Sequence, residues 1–250
     1  MSSFAYRVSA SYGATRVLHD VAGSLEPGTI TSLVGLSGSG KTTLSLALLR
    51  LLHYRGGTVE GSIQLDGREL LGLTQGEMRA IRGKRIAYVP QSPAAALNPR
   101  MRVGALLEET WRAHEAGPGS YGELLGSVQL PNDTAFLRKV AGELSVGQGQ
   151  RLLIALAILH RPAVLLADEP TSALDVITQA KVLALLRDLA SQYRMAMLFI
   201  SHDLQACASV SREVQILHEG RIVESGPPAR IFHAPEHPFT RALVAAIPKL

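Results

Sequence analysis

Glycine at position 35, four residues, then Gly40-Lys41-Thr42 make Gly35-Leu-Ser-Gly-Ser-Gly40-Lys41-Thr42 a complete phosphate-loop pattern. Each residue type has a physical reason to be there. The glycines allow the backbone to wrap so that successive N–H groups point inward at phosphate oxygens. A helix starting at Lys41 adds its dipole to that cradle. The Lys41 ammonium reaches the β- and γ-phosphates of a nucleotide, and the Thr42 hydroxyl suits Mg²⁺. A second acidic motif, Val164-Leu-Leu-Ala-Asp168-Glu169-Pro170, is an apolar run ending in two carboxylates. Ligands of parallel sheets bind at the carboxyl ends of the strands. Asp168 there would hold Mg²⁺, and Glu169 would orient and deprotonate an attacking water. A third segment, Leu144-Ser-Val-Gly-Gln148, reads as a helix start, with Ser145 as N-cap and Gln148 completing a capping box.

These groups need a scaffold, and the flanking pattern supplies one. Residues 4–9 and 17–25 alternate apolar and polar side chains as half-buried strands do. Thr29 to Val34 is a short apolar strand entering the glycine-rich turn, and residues 44–52 have helical apolar content. Ile63-Gln-Leu65 is a strand before an Asp-Gly turn, Thr74 to Glu77 fits a capping box, and residues 86–89 form a strand ending at Pro90. From about 103 to 142 the chain has helix-like patches, Gly and Pro breaks and few β-branched residues, which predicts a small helical insertion. Strand–helix alternation then returns: helix 145–159, buried strand 163–167, helix 176–193, buried strand 196–200, a short helix at 204–208 and a hairpin across Glu219-Gly220. Such alternation with continuous apolar strands implies an α/β core with a mostly parallel sheet.

Composition narrows the function classes. The 250 residues are 46% hydrophobic and 18% charged, with net charge +4 and one cysteine. Intrinsic disorder and a disulfide scaffold are excluded, and Cys207 reads as a small buried hydrophobe. No dense basic run marks a nucleic-acid arm; Arg79, Arg82, Lys84 and Arg85 read as a solvated helix face. No apolar run reaches the ~18 residues of a membrane helix, and the start lacks the basic and apolar regions of a secretory signal.

Taken in order, the phosphate loop, Leu144–Gln148, Asp168-Glu169, Ser172-Ala-Leu-Asp175 and His202 resemble the ATP-binding subunit of an ATP-binding cassette (ABC) transporter over nearly the whole length. The resemblance implies an α/β P-loop cassette with a RecA-like parallel-sheet core, an antiparallel β subdomain and an inserted α-helical subdomain. As a single domain over 1–250, it would place the core in 1–90 and 160–235, the helical part in about 92–159 and a short tail in 236–250. It implies ATP and Mg²⁺ as ligands of Gly35, Ser37, Gly38, Ser39, Gly40, Lys41, Thr42, Thr43 and Asp168. Tyr12 matches the aromatic that stacks on adenine. Gln91 matches a glutamine that contacts Mg²⁺ and water, so Thr42, Gln91 and Asp168 form the implied metal set. Glu169 is the implied base, and His202 the histidine at the γ-phosphate. Ser145, Gly147 and Gln148 would act on ATP bound by a second subunit, with Asp175 in the loop crossing the dimer interface. Val146 and Gly149 depart from the family pattern.

The implied partners are membrane permease subunits, a second identical or related ATPase subunit and, indirectly, an extracytoplasmic substrate-binding protein, with no nucleic acid. The implied place is the cytoplasmic face of the plasma membrane. Ala96-Leu-Asn-Pro99 and His237-Pro-Phe-Thr-Arg-Ala-Leu243 resemble importers of peptides and nickel, which implies uptake of nickel, a metal chelate or peptides. A soluble cassette ATPase of iron–sulfur assembly is the alternative.

Overall fold

A computed structural model gives the fold and describes residues 4–247; the outermost residues of the 1–250 span, including 248–250 of the expected tail, lie outside the described residues. β1 (Phe4–Tyr12) and β2 (Thr15–Leu25) pair antiparallel, and β3 (Ile30–Val34) leads through the glycine-rich loop into α1 (Lys41–Leu48). β4 (Gly57–Leu65) and the short β5 (Arg68–Glu69) precede α2 (Gln75–Ile81) and β6 (Ile86–Val89). Five helices follow: α3 (Pro93–Ala96), α4 (Val103–Arg112), α5 (Gly122–Ser127), α6 (Thr134–Arg138) and α7 (Val146–Ile158). Next come β7 (Val164–Asp168), α8 (Val176–Gln192), β8 (Ala196–Ser201), α9 (Leu204–Val210), β9 (Glu213–His218), β10 (Arg221–Gly226), α10 (Pro228–His233) and α11 (Pro238–Ala245).

Two sheets result. The order β2-β1-β4-β5 is antiparallel throughout, and the six-stranded sheet runs β10-β9-β3-β8-β7-β6, parallel except for the β9–β10 hairpin. This is the P-loop cassette fold expected from the motifs. The hairpin turns at Glu219 and Gly220, both at positive φ, as a two-residue turn with the twist of its strands requires.

The central strands are buried on both faces because their neighbours alternate sides. Leu165 and Ala167 face a cluster that also contains Leu107, Leu125 and Phe136 of the helical segment and Leu152 of α7. Val164 and Leu166 face the opposite cluster, built from Leu44 and Leu48 of α1 and from Phe4, Val8 and Ile63 of the antiparallel sheet. One strand of five residues therefore ties three layers together. Cys207 lies in the first cluster, and burial pushes its thiol up to about 12, so it packs as a hydrophobe.

Several elements differ from the pattern read in sequence: β1 runs on from the expected 4–9 to Tyr12, and α2 ends at Ile81, so Arg82, Lys84 and Arg85 lie beyond the helix and do not form a helix face. The helix expected over 44–52 runs Lys41–Leu48 instead. It stops because Arg50 turns to φ 52° and its guanidinium donates to the carbonyls of Leu70 and Leu73. β4 is longer than the 63–65 core legible in sequence, because its glycine- and glutamate-bearing half pairs with β1 in continuous register from Gly57↔Tyr12 to Leu65↔Phe4. At the other end, the Glu224 carboxylate of β10 accepts the backbone N–H groups of Glu236 and His237, which seats α11.

Candidate nucleotide-binding site

The loop between β3 and α1 builds the first wall. Gly40 holds φ 107° as the N-cap of α1, a conformation that side-chain-bearing residues rarely adopt. Gly35 is required by close approach: a Cβ there would lie 2.5 Å from both the Leu217 carbonyl oxygen and Ser39 Oγ. Lys41 is buried, and its Nζ donates to the carbonyls of Gly35 at 2.8 Å and Leu36 at 2.9 Å. The ammonium is thereby folded back over its own loop.

The second wall comes from the ends of β6, β7 and β8. Glu169 follows β7 at φ 48°, an uncommon backbone region for a glutamate. Its N–H donates to the Ile200 carbonyl, and its carboxylate turns into the cleft. There Gln91 Nε2 donates to Oε2 at 3.1 Å, His202 Nδ1 lies 3.2 Å from the same oxygen, and Lys41 Nζ stands 3.7 Å from Oε1. Asp168 sits deeper. Burial raises its pKa above the ordinary carboxylate range, against hydrogen bonds from the hydroxyls of Thr42 and Tyr88. The Tyr88 hydroxyl donates at 3.1 Å, and burial together with the Asp168 charge raises its own pKa.

Between the walls lies a cavity of about 570 Å³, lined by Val17, residues 36–38 and 40–43, Gln91, Glu169 and His202. Its chemistry suits a polyphosphate with a divalent cation. Lys41 and the α1 N-terminus supply positive charge, and Asp168 is a desolvated carboxylate beside the Thr42 hydroxyl, the donor pairing that a hard cation takes.

Of the residues singled out in sequence, Ser37, Gly38, Gly40, Lys41, Thr42, Thr43, Gln91, Glu169 and His202 line this one cavity. Gly35 and Ser39 lie behind it as loop structure, with Ser39 accepting the N–H of Gly220 through its carbonyl. Tyr12 packs half-buried against the antiparallel-sheet cluster at the end of β1, and Val17 of β2 lines the cavity. Val17 carried no signal beyond strand alternation, and Tyr88 showed only as a strand residue.

The Leu144–Gln148 segment is elsewhere. Ser145 Oγ accepts the Gln148 N–H and Gln148 Oε1 accepts the Ser145 N–H, both at 3.2 Å, so the capping box forms as read. Ser145, Val146 and Gly149 border a separate, largely apolar cavity of about 540 Å³ with Pro93 and Leu97. Gly149 has a packing reason, since a Cβ there would lie 3.1 Å from Pro93 Cβ of α3. Asp175 caps α8, its Oδ1 accepting the N–H groups of Ile177 and Thr178.

The chain is similar to known proteins on several scales. The ABC transporter family model matches residues 18–172. The glutathione import ATP-binding protein GsiA of Escherichia coli K12 is 40% identical over 238 residues, as is that of Shigella sonnei, covering 91% of this chain. The chain spans 38% of the length of these curated relatives. Among solved structures, an ATP-binding subunit of an ABC transporter superposes with TM-score 0.74 at 24% identity, covering 92% of both chains. The ADP- and phosphate-bound dimer of the cassette MJ0796 gives TM-score 0.74 at 24% identity over 91% of this chain and 99% of that one. Among the described residues no helix is long and apolar enough to cross a membrane. A phosphate loop, a strand-end glutamate and a strand-end histidine meeting in one cleft of this fold, with the Asp168 carboxylate behind them, agree with the family match: the chain belongs to the ABC transporter family.

Proposed function

We propose that the chain is the ATP-hydrolysing subunit of an importer, powering uptake through a separate permease. The observation that carries the hydrolytic half is the convergence of Lys41, Gln91 and His202 on Glu169 beside the phosphate loop. In this reading the loop N–H groups and Lys41 take the β- and γ-phosphates. Thr42, Gln91 and Asp168 would hold Mg²⁺, which when bound neutralises charge on those phosphate oxygens. Glu169 accepts a proton from the attacking water, His202 positions the γ-phosphate, and the product is ADP with phosphate.

Ser145, Gly147 and Gln148 stand outside the cavity of their own chain, which favours their serving the nucleotide of a second cassette, identical or related, with Asp175 at the shared interface. Val146, 55% exposed at the start of α7, would meet that same partner. Gln91 and the helical part over about 92–159 would pass closure to the permease at the cytoplasmic face of the membrane, while an extracytoplasmic binding protein delivers cargo to that permease. Among nickel, metal chelates and peptides, similarity to the glutathione importer favours a small peptide. Affinity capture of the chain from membranes tests this. Recovery of permease subunits, with ATP hydrolysis stimulated by a short peptide, is the expected result; recovery free of any membrane protein refutes the transport role.

A further inference from the structure

Between the Leu144–Gln148 segment and the loop at Asp175 stands one side chain that touches both. Thr178, half-buried in the first turn of α8, donates its backbone N–H to Asp175 Oδ1 at 3.0 Å. Its hydroxyl also hydrogen-bonds the Asp175 carboxylate. Its methyl faces the other way: a Cβ built on Gly147 would lie 2.9 Å from Thr178 Cγ2, closer than such carbons approach. Glycine at 147 is therefore what lets α8 seat against the start of α7.

The surroundings show which surface this joint serves. Val146, Val176 and Ile177, on either side of the contact, are 55%, 81% and 70% exposed. Large apolar side chains so exposed in one place suit a surface that a partner covers. One residue further on, Gln179 Nε2 donates to Asp203 Oδ2 at 3.1 Å. Asp203 follows His202 and caps α9 through the Ala206 N–H. The first turn of α8 is thus held at once to the start of α7, to the loop at Asp175 and to the segment carrying His202.

We propose that Thr178 is a positioning residue, its hydroxyl restraining Asp175 and its methyl seating the Gly147 turn, so that both partner-facing elements keep one spatial relation. The proposal rests on the role given above to Gly147 and Asp175. Thr178→Val keeps the methyl and removes the hydroxyl; Thr178→Ser does the reverse; Thr178→Ala removes both.

The test is steady-state ATP hydrolysis by the purified chain, with nucleotide affinity and thermal unfolding measured in parallel. Because Thr178 lies outside the nucleotide cavity, each variant should bind ATP within about two-fold of wild type while kcat falls, most in Thr178→Ala. Gly147→Ala should lose about ten-fold or more in kcat by pushing on the methyl, and adding Thr178→Ser should restore it to the Thr178→Ser level. Wild-type kcat in Thr178→Ala, or a Gly147→Ala defect that Thr178→Ser does not relieve, overturns the proposal. The near-isosteric Thr178→Val supplies a folded comparison if the smaller variants unfold. Glu169→Gln, run alongside, separates the two levels. Hydrolysis surviving that change refutes the assignment of Glu169 as the base in the proposed function; hydrolysis lost there but insensitive to position 178 refutes only the joint.

Discussion

Glu169 and His202 meet at 3.2 Å because β7 and β8 run parallel, side by side, and end together. Asp168 pairs with Ile200 in that register, and the Glu169 N–H donates to the Ile200 carbonyl, so the two strands deliver both side chains to the same edge. The left-handed backbone at Glu169 then swings its carboxylate between His202 and Lys41. Their separation is set by a hydrogen-bonded ladder and not by loop flexibility, which suits groups that act on one phosphate.

The first prediction concerns that carboxylate. Glu169→Gln keeps size and hydrogen-bonding reach but removes the basic oxygen. ATP affinity should stay within about three-fold, while hydrolysis falls by roughly 10²–10⁴, the range that general-base catalysis supplies. Equilibrium binding and single-turnover hydrolysis on one preparation check it. Unchanged turnover assigns the base elsewhere.

Asp168 predicts a gain in stability at the expense of activity. Its pKa is raised by burial, so the folded chain holds this proton to a higher pH than the unfolded chain, where an aspartate titrates near ~3.9. Stability then falls as pH rises through the window between the unfolded and folded values. Asp168→Asn removes the charge while keeping an acceptor for Thr42 and Tyr88. Its melting temperature at pH 7 should rise by a few degrees, since about 1 kcal/mol moves Tm ~2–4 °C in a chain of this size. The gain should vanish at acid pH, where the native carboxyl is already neutral, and hydrolysis should be lost at every pH. A variant that melts lower at pH 7 would contradict this account of the site.

Ser145 allows folding and function to be separated. Losing the cap in Ser145→Ala should cost about 1 kcal/mol in denaturant unfolding. Ser145→Asp caps as well as serine, so stability should return. Its carboxylate would repel a phosphate, so hydrolysis should stay low. If Ser145→Asp recovers both, the serine serves only as a cap.

Much of the site was legible because its groups are tied to local backbone events. A loop that wraps phosphate needs glycines at set spacing, and Gly40-Lys41-Thr42 meets that need within consecutive residues. Asp168 and Glu169 end an apolar strand, and Ser145 with Gln148 closes a capping box through contacts only three residues apart. Such features leave a record in a short window of sequence. The β9–β10 turn at Glu219-Gly220 is of the same kind.

What only the tertiary structure decided involves residues far apart in the chain. Tyr88 bonds Asp168 across eighty positions, Gln91 reaches Glu169 across seventy-eight, and Val17 rather than Tyr12 borders the cleft. The approach of Thr178 to the Gly147 turn, so close that a Cβ at 147 would lie 2.9 Å from Thr178 Cγ2, likewise depends on how α7 and α8 pack. Local propensity and spacing act through bonds and hydrogen bonds between near neighbours, so the sequence alone could specify the phosphate loop, the strand ends and the caps. Strand order, register and helix packing are set by burial summed over the two clusters on either face of the sheet. Only that sum determined which distant side chains share the cleft and which are left exposed.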